Sequence, residues 1–238
     1  EQRDAPAENF QSAALSPDGT LLATGERFQV RLWDLSIVTD TLTGTVRGTL
    51  QTTDIADSYV TQVGFTADGR TLVSVTLWEG IVDEWNPATL ALRRSFRIPK
   101  VTFFTLAPGA RQLIADYAQP GFELWNVATG GLGARHPTII SSGRPNFTSF
   151  SANSQRLAVW GHTTALGRTL AVWNIATDTL LHEFGLGADA PNGPEWRSAA
   201  FSPDGKTLAA GDSSGTIYLY NTTDWTETGR VTVPAPAP

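Results

Sequence analysis

The chain has 238 residues and a formal net charge of −6 at pH 7, with 17 lysine and arginine residues against 23 aspartate and glutamate residues. A chain of this length is most simply a single domain. The acidic balance and the lack of a basic tract argue against nucleic-acid binding, and no apolar run is long enough for membrane insertion. The chain has no cysteine, which excludes disulfides, zinc–thiolate sites and cysteine nucleophiles.

The two ends of the sequence differ from the rest. We expect residues 1–9 to form a polar lead and residues 234–238 to form a stiff proline–alanine linker, with the folded domain at 10–233 between them. Both ends look like joints to another part of a longer chain. Because the sequence has no methionine, Glu1 is not expected to be a translation start, and a cleaved secretion signal is one explanation. The fifteen arginines against two lysines suggest a bacterial protein, cytoplasmic or exported after N-terminal processing.

A short strand followed by a turn-forming tetrapeptide recurs along the chain. The strands end at Leu15, Phe65, Leu106, Phe150 and Phe201, at intervals of 41 to 51 residues. The turns are Ser16-Pro17-Asp18-Gly19, Thr66-Ala67-Asp68-Gly69, Ala107-Pro108-Gly109-Ala110, Ser151-Ala152-Asn153-Ser154 and Ser202-Pro203-Asp204-Gly205. Proline presets φ in such turns, and glycine supplies the positive φ that closes them. We therefore predict structural roles for Asp18, Gly19, Asp68, Gly69, Asp204 and Gly205.

Each turn is followed, after a second strand, by an aliphatic–aromatic strand that ends in a Trp-Asp-like corner. The five corners are Trp33-Asp34, Trp85-Asn86, Trp125-Asn126, Trp173-Asn174 and Tyr220-Asn221. We expect their aromatic residues to occupy equivalent third-strand positions, each largely buried against a neighbouring repeat. Asp34 is included among the predicted structural residues of the repeat.

The last unit shows the pattern most clearly. It predicts strands at about 197–201, 207–210, 216–220 and 228–233, rich in β-branched and aromatic residues. Four strands in roughly 40–45 residues is what one blade of a propeller requires. The predicted fold is therefore all-β, a β-propeller of four-stranded antiparallel blades. Its five visible units lie at about 10–52, 59–98, 101–135, 146–184 and 196–233.

These motifs resemble those of the WD-repeat β-propeller family. The resemblance rests on Ser-Pro-Asp-Gly, Leu-Ala-x-Gly and hydrophobic-x-Leu-Trp-Asp, is clearest at 16–34 and 202–221, and extends from about Phe10 to Val233. The sequence departs from the family because no unit has Gly-His before the inner strand, so the family's buried His/Asp/Ser/Trp tetrad is not expected. Three of the corners end in Trp-Asn, as in divergent bacterial members.

Five units leave the form of the ring open. The resemblance implies a propeller that usually has about seven blades and that often closes when an N-terminal strand completes the last blade. Here the first and last units both look complete. The alternatives are a closed five-bladed ring, an open array and a fragment of a six- to seven-bladed ring.

One acidic residue breaks the hydrophobic pattern of the third strands. Glu84 stands where the other units have Leu32, Leu124, Val172 and Leu219. A carboxylate that points into a layer between blades must pair, protonate or reach solvent. An ion pair with Arg93 or Arg94, or a shifted register, is favoured over a functional acid.

We predict no catalytic residue, no cofactor and no metal. The histidines His136, His162 and His182 fall in different units without ligand spacing. No serine lies in G-x-S-x-G, and no glycine-rich phosphate loop precedes a helix. The chain is therefore expected not to be an enzyme.

The loops at one end of the predicted blades carry residues that are typical of interfaces. Loops that enter the first strand or join the second and third strands should share that end, and aromatic and arginine residues are common interface anchors. The candidate partner-binding residues are Tyr59, Trp78, Glu79, Asp116, Tyr117, Trp160, His162, Arg168 and Trp196.

The family resemblance implies a function in protein binding. We expect a non-catalytic scaffold or accessory subunit that presents loops to protein partners within a larger complex or a longer chain. The alternatives are a small-ligand sensor or enzyme that uses the axial cavity, and a purely structural assembly subunit.

Overall fold

The computed structural model is built of four-stranded antiparallel sheets, and the part of the chain that it describes contains five of them. The described residues are 10–38, 41–53, 59–77, 79–99, 101–116, 122–136, 147–163, 167–186 and 194–232. In each sheet four consecutive strands pair in chain order, which is the arrangement of a propeller blade. We call each sheet a blade and number the blades along the chain. The predicted all-β fold of four-stranded antiparallel blades is confirmed.

Each blade consists of four strands that follow one another in the chain. The first and second blades contain β1 to β8, at Ser12–Leu15, Leu21–Gly25, Gln29–Val38, Thr41–Gln51, Val60–Phe65, Leu72–Thr76, Ile81–Trp85 and Leu92–Arg97. The third blade contains β9 to β12, at Phe103–Leu106, Gln112–Asp116, Phe122–Asn126 and Gly131–His136, with a short 3-10 helix at Pro108–Ala110. The fourth and fifth blades contain β13 to β20, at Phe147–Phe150, Arg156–Thr163, Gly167–Asn174, Thr179–Gly185, Trp196–Phe201, Thr207–Asp212, Thr216–Asn221 and Glu227–Thr232.

The chain divides into two compact units, each with its own core. The first unit comprises residues 1–115 and 124–134, and the second comprises residues 116–123 and 135–238. No helix among the described residues combines the length and the apolar character needed to cross a membrane.

In the first unit, the core lies between the first and second blades. Val30, Leu32 and Leu50 of the first blade pack in one buried cluster with residues of the second blade that include Phe65 and Trp85. We call the side of a blade that packs on the next blade its trailing face, and the opposite side its leading face. Successive residues of a strand point to opposite faces of the sheet, so neighbouring residues in a strand contribute alternately to the leading and the trailing face.

In the second unit, the equivalent core lies between the fourth and fifth blades. The trailing face of the fourth blade contributes Leu170, Val172 and Phe184, and the leading face of the fifth blade contributes Trp196 and Tyr220. Aromatic contacts reinforce this layer: the ring centroids of Phe184 and Tyr220 lie 4.1 Å apart. The same repeat positions therefore build both cores.

The turn between the first and second strands has a repeated hydrogen-bonding pattern. In the first blade the Ser16 hydroxyl donates to Oδ1 of Asp18 at 2.6 Å, the backbone N–H of Thr20 donates to the same oxygen at 3.0 Å, and Gly19 has a φ of 71°. The Ser16 hydroxyl, followed by the Thr20 N–H and hydroxyl, lowers the pKa of Asp18 to about 2. The turn depends only on residues close in sequence.

Three other blades use the same turn. Thr66 donates to Asp68 at 2.6 Å and Ser202 donates to Asp204 at 2.6 Å, and these hydroxyl bonds are the main reason that the pKa of each carboxyl is lowered. In the fourth blade Ser151 donates to the amide oxygen of Asn153 at 2.7 Å. An amide oxygen can therefore replace the carboxylate in this turn.

The aromatic corner residues lie at equivalent places on the third strands β3, β7, β11, β15 and β19. The expectation that all five are largely buried is wrong in part. Trp85 and Tyr220 are buried, whereas Trp33, Trp125 and Trp173 are half-buried. For Trp33 the reason is its place on the leading face of the first blade, where neighbouring side chains such as Leu15 are also exposed.

Two of the tryptophans bond to the second strand of their own blade. The indole N–H of Trp33 donates to Oγ1 of Thr24 at 3.0 Å, and that of Trp85 donates to Oγ of Ser74 at 2.9 Å. These pairs correspond to the Ser–Trp part of the tetrad that was not expected to form. They were not predicted because each hydroxyl lies on a different strand from its tryptophan.

The corner residue after the tryptophan explains the Trp-Asn variants. Oδ1 of Asn86 accepts the backbone N–H of Ala88 at 3.0 Å, and Oδ1 of Asn174 accepts that of Ala176 at 3.0 Å. Asparagine therefore caps a short turn between the third and fourth strands. Asp34 instead pairs with Arg47, with Nη2 and Oδ1 2.5 Å apart, because β3 and β4 continue past the corner as a longer ribbon.

Candidate functional site

The nine candidate partner-binding residues were predicted to lie on loops at one end of the blades, and we call this end the rim. The structure does not place all nine of them on loops. Tyr59 and Glu79 lie on described loops, whereas Trp78 and Tyr117 lie outside the described residues. The other five lie on strands, namely Asp116, Trp160, His162, Arg168 and Trp196.

The prediction that Trp160 and Trp196 lie in exposed loops is wrong. Trp160 lies in β14, pairs with Phe147 and Leu170 and is buried. Trp196 lies in β17 and is fully buried; its indole N–H donates to the backbone carbonyl oxygen of Phe184 at 3.0 Å. Both rings belong to the core between the fourth and fifth blades.

The predicted loops at Asp116, His162 and Arg168 are also corrected. Asp116 ends β10 and is buried. His162 pairs with Arg168 across β14 and β15, because that hairpin continues to the pair Thr163 and Gly167. The strands are longer than the local turn signals indicated.

The described part of the rim contains an arginine–aromatic cluster at the loop between β2 and β3. The guanidinium of Arg27 lies 4.9 Å from the ring centroid of Phe28 and 6.0 Å from that of Tyr59. Arg27 and Tyr59 also form an isolated antiparallel bridge, which joins the loops of two blades. Arg27 is exposed, while Phe28 and Tyr59 are half-buried. Tyr59 was predicted from the sequence as a candidate, whereas Arg27 and Phe28 were not, although an Arg-Phe pair within a short turn is a signal that could have indicated them.

The cluster is held in one conformation by the residues around it. Phe28 has a φ of 66°, a left-handed conformation that a bulky side chain adopts only where its surroundings impose it. The carbonyl oxygen of Phe28 accepts two hydrogen bonds from Thr52, one from the backbone N–H at 3.1 Å and one from the side-chain hydroxyl at 2.9 Å. These bonds hold the loop against Thr52, the residue that follows β4.

The buried carboxylate of Glu26 holds the start of the same loop. Glu26 accepts the side-chain amide of Gln29 at 2.6 Å and the guanidinium of Arg31 at 3.1 Å. Arg31 in turn lies over the ring of Trp33, 5.5 Å from its centroid. A buried carboxylate needs such partners, so the charge is compensated within the first blade.

A second charged pair lies on the rim of the second blade. Arg97 donates to the backbone carbonyl of Glu79 at 2.9 Å and also to its carboxylate. Both side chains are exposed, and exposed pairs contribute little to stability.

Glu84 forms one of the predicted ion pairs. It lies opposite Arg94 in the β7–β8 register, with Oε1 3.8 Å from Nη1. Burial raises the pKa of Glu84, and the charges of Arg94 and Arg93 oppose that rise. Arg94 also donates to the backbone carbonyls of Ala128 and Val127, so it joins the second blade to a turn of the third.

The contact of Arg94 with this turn has counterparts between other blades, and we call each such contact a joint. In each joint, a residue of the fourth strand meets the left-handed turn residue of the next blade. A Cβ at Gly48 would overlap Leu90, a Cβ at Gly130 would overlap Arg94, and the rings of His182 and Trp225 stack at 5.7 Å. At the first joint a small fourth-strand residue meets a large turn residue, and at the second a large fourth-strand residue meets a glycine. At the third joint two rings stack. Burial is the main reason that the pKa of His182 is lowered.

The described residues hold no group of three or more histidine, aspartate or glutamate side chains placed to bind a metal ion.

Comparison with known proteins agrees with the repeat pattern. The family described as "WD domain, G-beta repeat" matches residues 8–34 and 192–221. The first match includes two strands of the first blade and the start of its third, and the second match includes the first three strands of the fifth blade. These are also the segments in which the turn and corner motifs are clearest.

Two curated relatives extend the similarity. Apoptotic protease-activating factor 1 of Rattus norvegicus is 28% identical over 174 residues, which cover 69% of this chain and 12% of that protein. Periodic tryptophan protein 2 homolog of Dictyostelium discoideum is 25% identical over 232 residues, which cover 94% of this chain and 23% of that protein. The chain therefore spans at most about a quarter of the length of these relatives.

The repeated blades, their turns and corners, and the matches at both ends of the array lead to one conclusion. The chain contains repeats of the WD40 family at residues 8–34 and 192–221, and it is distantly similar to WD-repeat proteins.

Proposed function

We propose that this chain is a non-catalytic protein-binding scaffold, and that a protein partner docks on the rim at Arg27, Phe28 and Tyr59. WD40 repeat domains typically act as scaffolds for protein interaction. The observation that carries the proposal is the stacked cluster itself, an exposed arginine over two aromatic rings. Arginine and aromatic residues are the side chains that most often dominate interface energies.

The fixed conformation of the loop supports a binding role. The Phe28 carbonyl is bonded to Thr52, and Glu26 holds the start of the loop through Gln29 and Arg31. A surface that is ordered before binding loses less conformational entropy when the partner arrives. The positive φ of Phe28 is consistent with this, since strained residues persist where the surroundings hold them.

The proposed surface extends along the rim of the second blade. It includes the Glu79–Arg97 pair and, by sequence position, Trp78 and Tyr117. The proposed repeat domain is 10–233, with the lead at 1–9 and the linker at 234–238. Trp160 and Trp196 are no longer part of the surface.

The test uses a double variant on the rim and a matched control. Partners are captured from the native host on the immobilised chain, identified, purified and titrated against wild type and Arg27→Ala/Tyr59→Ala. Each anchor is expected to contribute about 2 kcal/mol, so the affinity should fall by about a hundredfold or more. Arg70→Ala, which removes an exposed arginine at the opposite end of the second blade, should leave the affinity unchanged.

A clear result would contradict the proposal. If the folded double variant binds the identified partner as tightly as wild type, this rim is not the docking surface. Thermal unfolding of each variant shows whether the fold is retained. If Arg70→Ala weakens binding as much as the double variant, the partner docks elsewhere.

A further inference from the structure

The joint between the fourth and fifth blades is built from aromatic rings, and one of them is an imidazole. The ring of His182, on β16, stacks on that of Trp225, with the centroids 5.7 Å apart and the planes 14° from parallel. The same imidazole meets the ring of Phe184 edge to face, with the centroids 4.5 Å apart. This joint therefore depends on a side chain that can change its charge near neutral pH.

The other two joints are built from side chains of a different kind. At the first joint Leu90 lies against Gly48, and at the second Arg94 lies against Gly130. Leucine does not ionise, and arginine keeps its charge throughout the range in which proteins work. Of these three joints, all formed by described residues, the one at His182 has the contacting side chain that titrates near neutral pH.

The Trp225 ring in this joint already contacts a permanent cation. The guanidinium of Arg156, on β14, lies 5.7 Å from the centroid of the Trp225 ring. Protonation of His182 would place a second positive charge against the same ring. Like charges repel, and burial is already the main reason that the pKa of His182 is lowered, so the stacked joint favours the neutral imidazole.

The strands of the fourth blade do not reverse this preference. Glu183 favours the protonated form of His182, but it pairs with Ala171 and therefore lies on the other face of β16. Val172, which pairs with His182 on β15, carries no charge.

The charged groups of the fifth blade are engaged by their own neighbours. Asp224 accepts the hydroxyl of Thr226 at 2.7 Å and its backbone N–H at 3.1 Å. On β20 the carboxylate of Glu227 lies 2.8 Å from the guanidinium of Arg230. Burial raises the pKa of Tyr220 to about 12, so this ring stays neutral over the range in which His182 titrates.

The turn residue of this joint has a strained backbone. Trp225 has a φ of 62°, which a bulky side chain adopts only where its contacts hold it, and its backbone N–H donates to the carbonyl oxygen of Asn221 at 2.8 Å. Leu90 of the first joint matches it, with a φ of 62° and a bond of 2.8 Å to the carbonyl oxygen of Asn86. The stack with His182 is one of the contacts that hold Trp225, so its loss should let the turn move.

We propose that the stack of His182 on Trp225 is a pH-sensitive switch between the fourth and fifth blades, closed at neutral pH and open in acid. When His182 takes up a proton, the imidazolium leaves the stack for solvent and the turn of the fifth blade separates from β16. This device lies outside the proposed docking rim and does not depend on it.

The direction of the pH dependence follows from the two states of the joint. In the open joint His182 has an ordinary pKa of about 6.5, whereas in the closed joint burial lowers that pKa. The closed joint is therefore fully favoured above about pH 6.5, and it is lost as pH falls through the pKa of the closed state.

The experiment compares the hydrogen-exchange rates of two backbone N–H groups by NMR between about pH 5 and pH 8. Trp225 reports on the switch, and Leu90 is the reference because it makes the same turn bond in a joint that does not titrate. Above about pH 6.5 the ratio of the Trp225 rate to the Leu90 rate should be constant. Below it the ratio should rise by up to about tenfold per pH unit, since opening takes up one proton.

Two variants separate the switch from other effects of acid. His182→Phe keeps a ring in the joint and removes the titrating group, so its ratio should stay constant. His136→Gln changes a histidine of the third blade and should leave the wild-type response intact. A wild-type ratio that does not change with pH overturns the proposal, as does a rise that persists in His182→Phe or disappears in His136→Gln.

A chemical-shift titration of wild type decides the matter if His182→Phe does not fold. The ring protons of His182 and the indole N–H of Trp225 should then titrate with one shared midpoint below about pH 6.5. A higher midpoint, or a Trp225 signal that does not follow His182, would overturn the proposal.

Discussion

The fourth and fifth blades carry the same pattern on their trailing faces, yet only one of these faces is covered. Leu170 and Ile217 occupy equivalent positions on β15 and β19, with similar size and similar partners across the strand. The first is fully buried by the next blade and the second is exposed. Alternation in a strand therefore indicates which side chains share a face, while the neighbour decides whether that face becomes core.

The largest expected effect is on stability at these two matched positions. Leu170→Ala removes buried methyl groups from a packed layer and should lower the free energy of unfolding by about 2–5 kcal/mol. Ile217→Ala should change it by less than about 0.5 kcal/mol, because the side chain is exposed. Denaturant unfolding of both variants gives the comparison. Equal losses would show that the two faces are covered alike.

A smaller effect is expected for the hydrogen bond that joins the fifth blade to the fourth. Trp196→Phe keeps most of the ring but leaves the carbonyl oxygen of Phe184 without this buried donor. The expected cost is about 1–3 kcal/mol, measured by urea unfolding. Tyr218→Phe removes a half-buried hydroxyl from the same blade and should cost less, since Asp212 keeps its other donors. A Trp196→Phe variant as stable as wild type would mean that the layer is hydrated.

The trailing face of the second blade gives a third comparison because Glu84 replaces the usual aliphatic residue. Glu84→Ala should cost roughly 1 kcal/mol, since it removes the carboxylate partner of Arg94, and Glu84→Gln should cost less. Burial raises the pKa of Glu84, so its contribution to stability is present below the unfolded pKa and is lost as pH rises through the folded value.

The pH dependence separates Glu84→Gln from a simple packing defect. Wild type should lose stability as pH rises above the ordinary carboxyl pKa of about 4, because the pKa of Glu84 is raised in the folded chain, and the Gln variant should not. Relative to wild type, the Gln variant should therefore be more stable at about pH 7 than at about pH 4. Thermal unfolding at the two pH values is the measurement. A loss of relative stability toward neutral pH would show that the Arg94 pair outweighs burial.

The smallest effect is expected in the turns, which do not depend on a neighbouring blade. The serine hydroxyl and the backbone donor lower the pKa of Asp18 and Asp204, so each carboxylate stabilises the fold above its unfolded pKa. That contribution is lost as pH falls, for Asp18 through a folded pKa of about 2. Asp18→Asn and Asp204→Asn should both reduce the loss of stability on acidification, in the first and fifth blades alike.

Asn153 provides the natural control for this last prediction. It already accepts the serine hydroxyl at 2.7 Å and a backbone N–H at 3.1 Å, so asparagine preserves the turn. Acid unfolding followed by circular dichroism compares the variants with wild type. If Asp18→Asn and Asp204→Asn both unfold in acid as wild type does, other carboxyl groups control acid unfolding.

Local chemistry explains why much of the fold could be predicted from the sequence. The Ser-x-Asp-Gly turn and the Trp-Asn corner are each satisfied by residues a few positions away, so Asp68 and Asn86 could be assigned without knowledge of the rest of the molecule. The pairing of Glu84 with an arginine followed from the cost of burying an isolated carboxylate. These inferences needed only the repeat and its alternation.

The candidate surface was harder to predict because it depends on distant contacts. Trp196 follows a loop in the sequence, but its indole N–H reaches a carbonyl of the preceding blade and its ring is buried there. The hairpin around His162 is extended by pairing that no local turn signal indicates. Arg27 and Phe28 became candidates only when the bridge to Tyr59 placed them side by side.

The most direct test of the central comparison is hydroxyl-radical footprinting of the chain in solution. Ile217 and Val231 on the fifth blade should be oxidised readily, while Leu170 and Phe184 at the equivalent positions of the fourth blade should be protected. Strong protection of Ile217 and Val231, at the level of Leu170 and Phe184, would contradict the account.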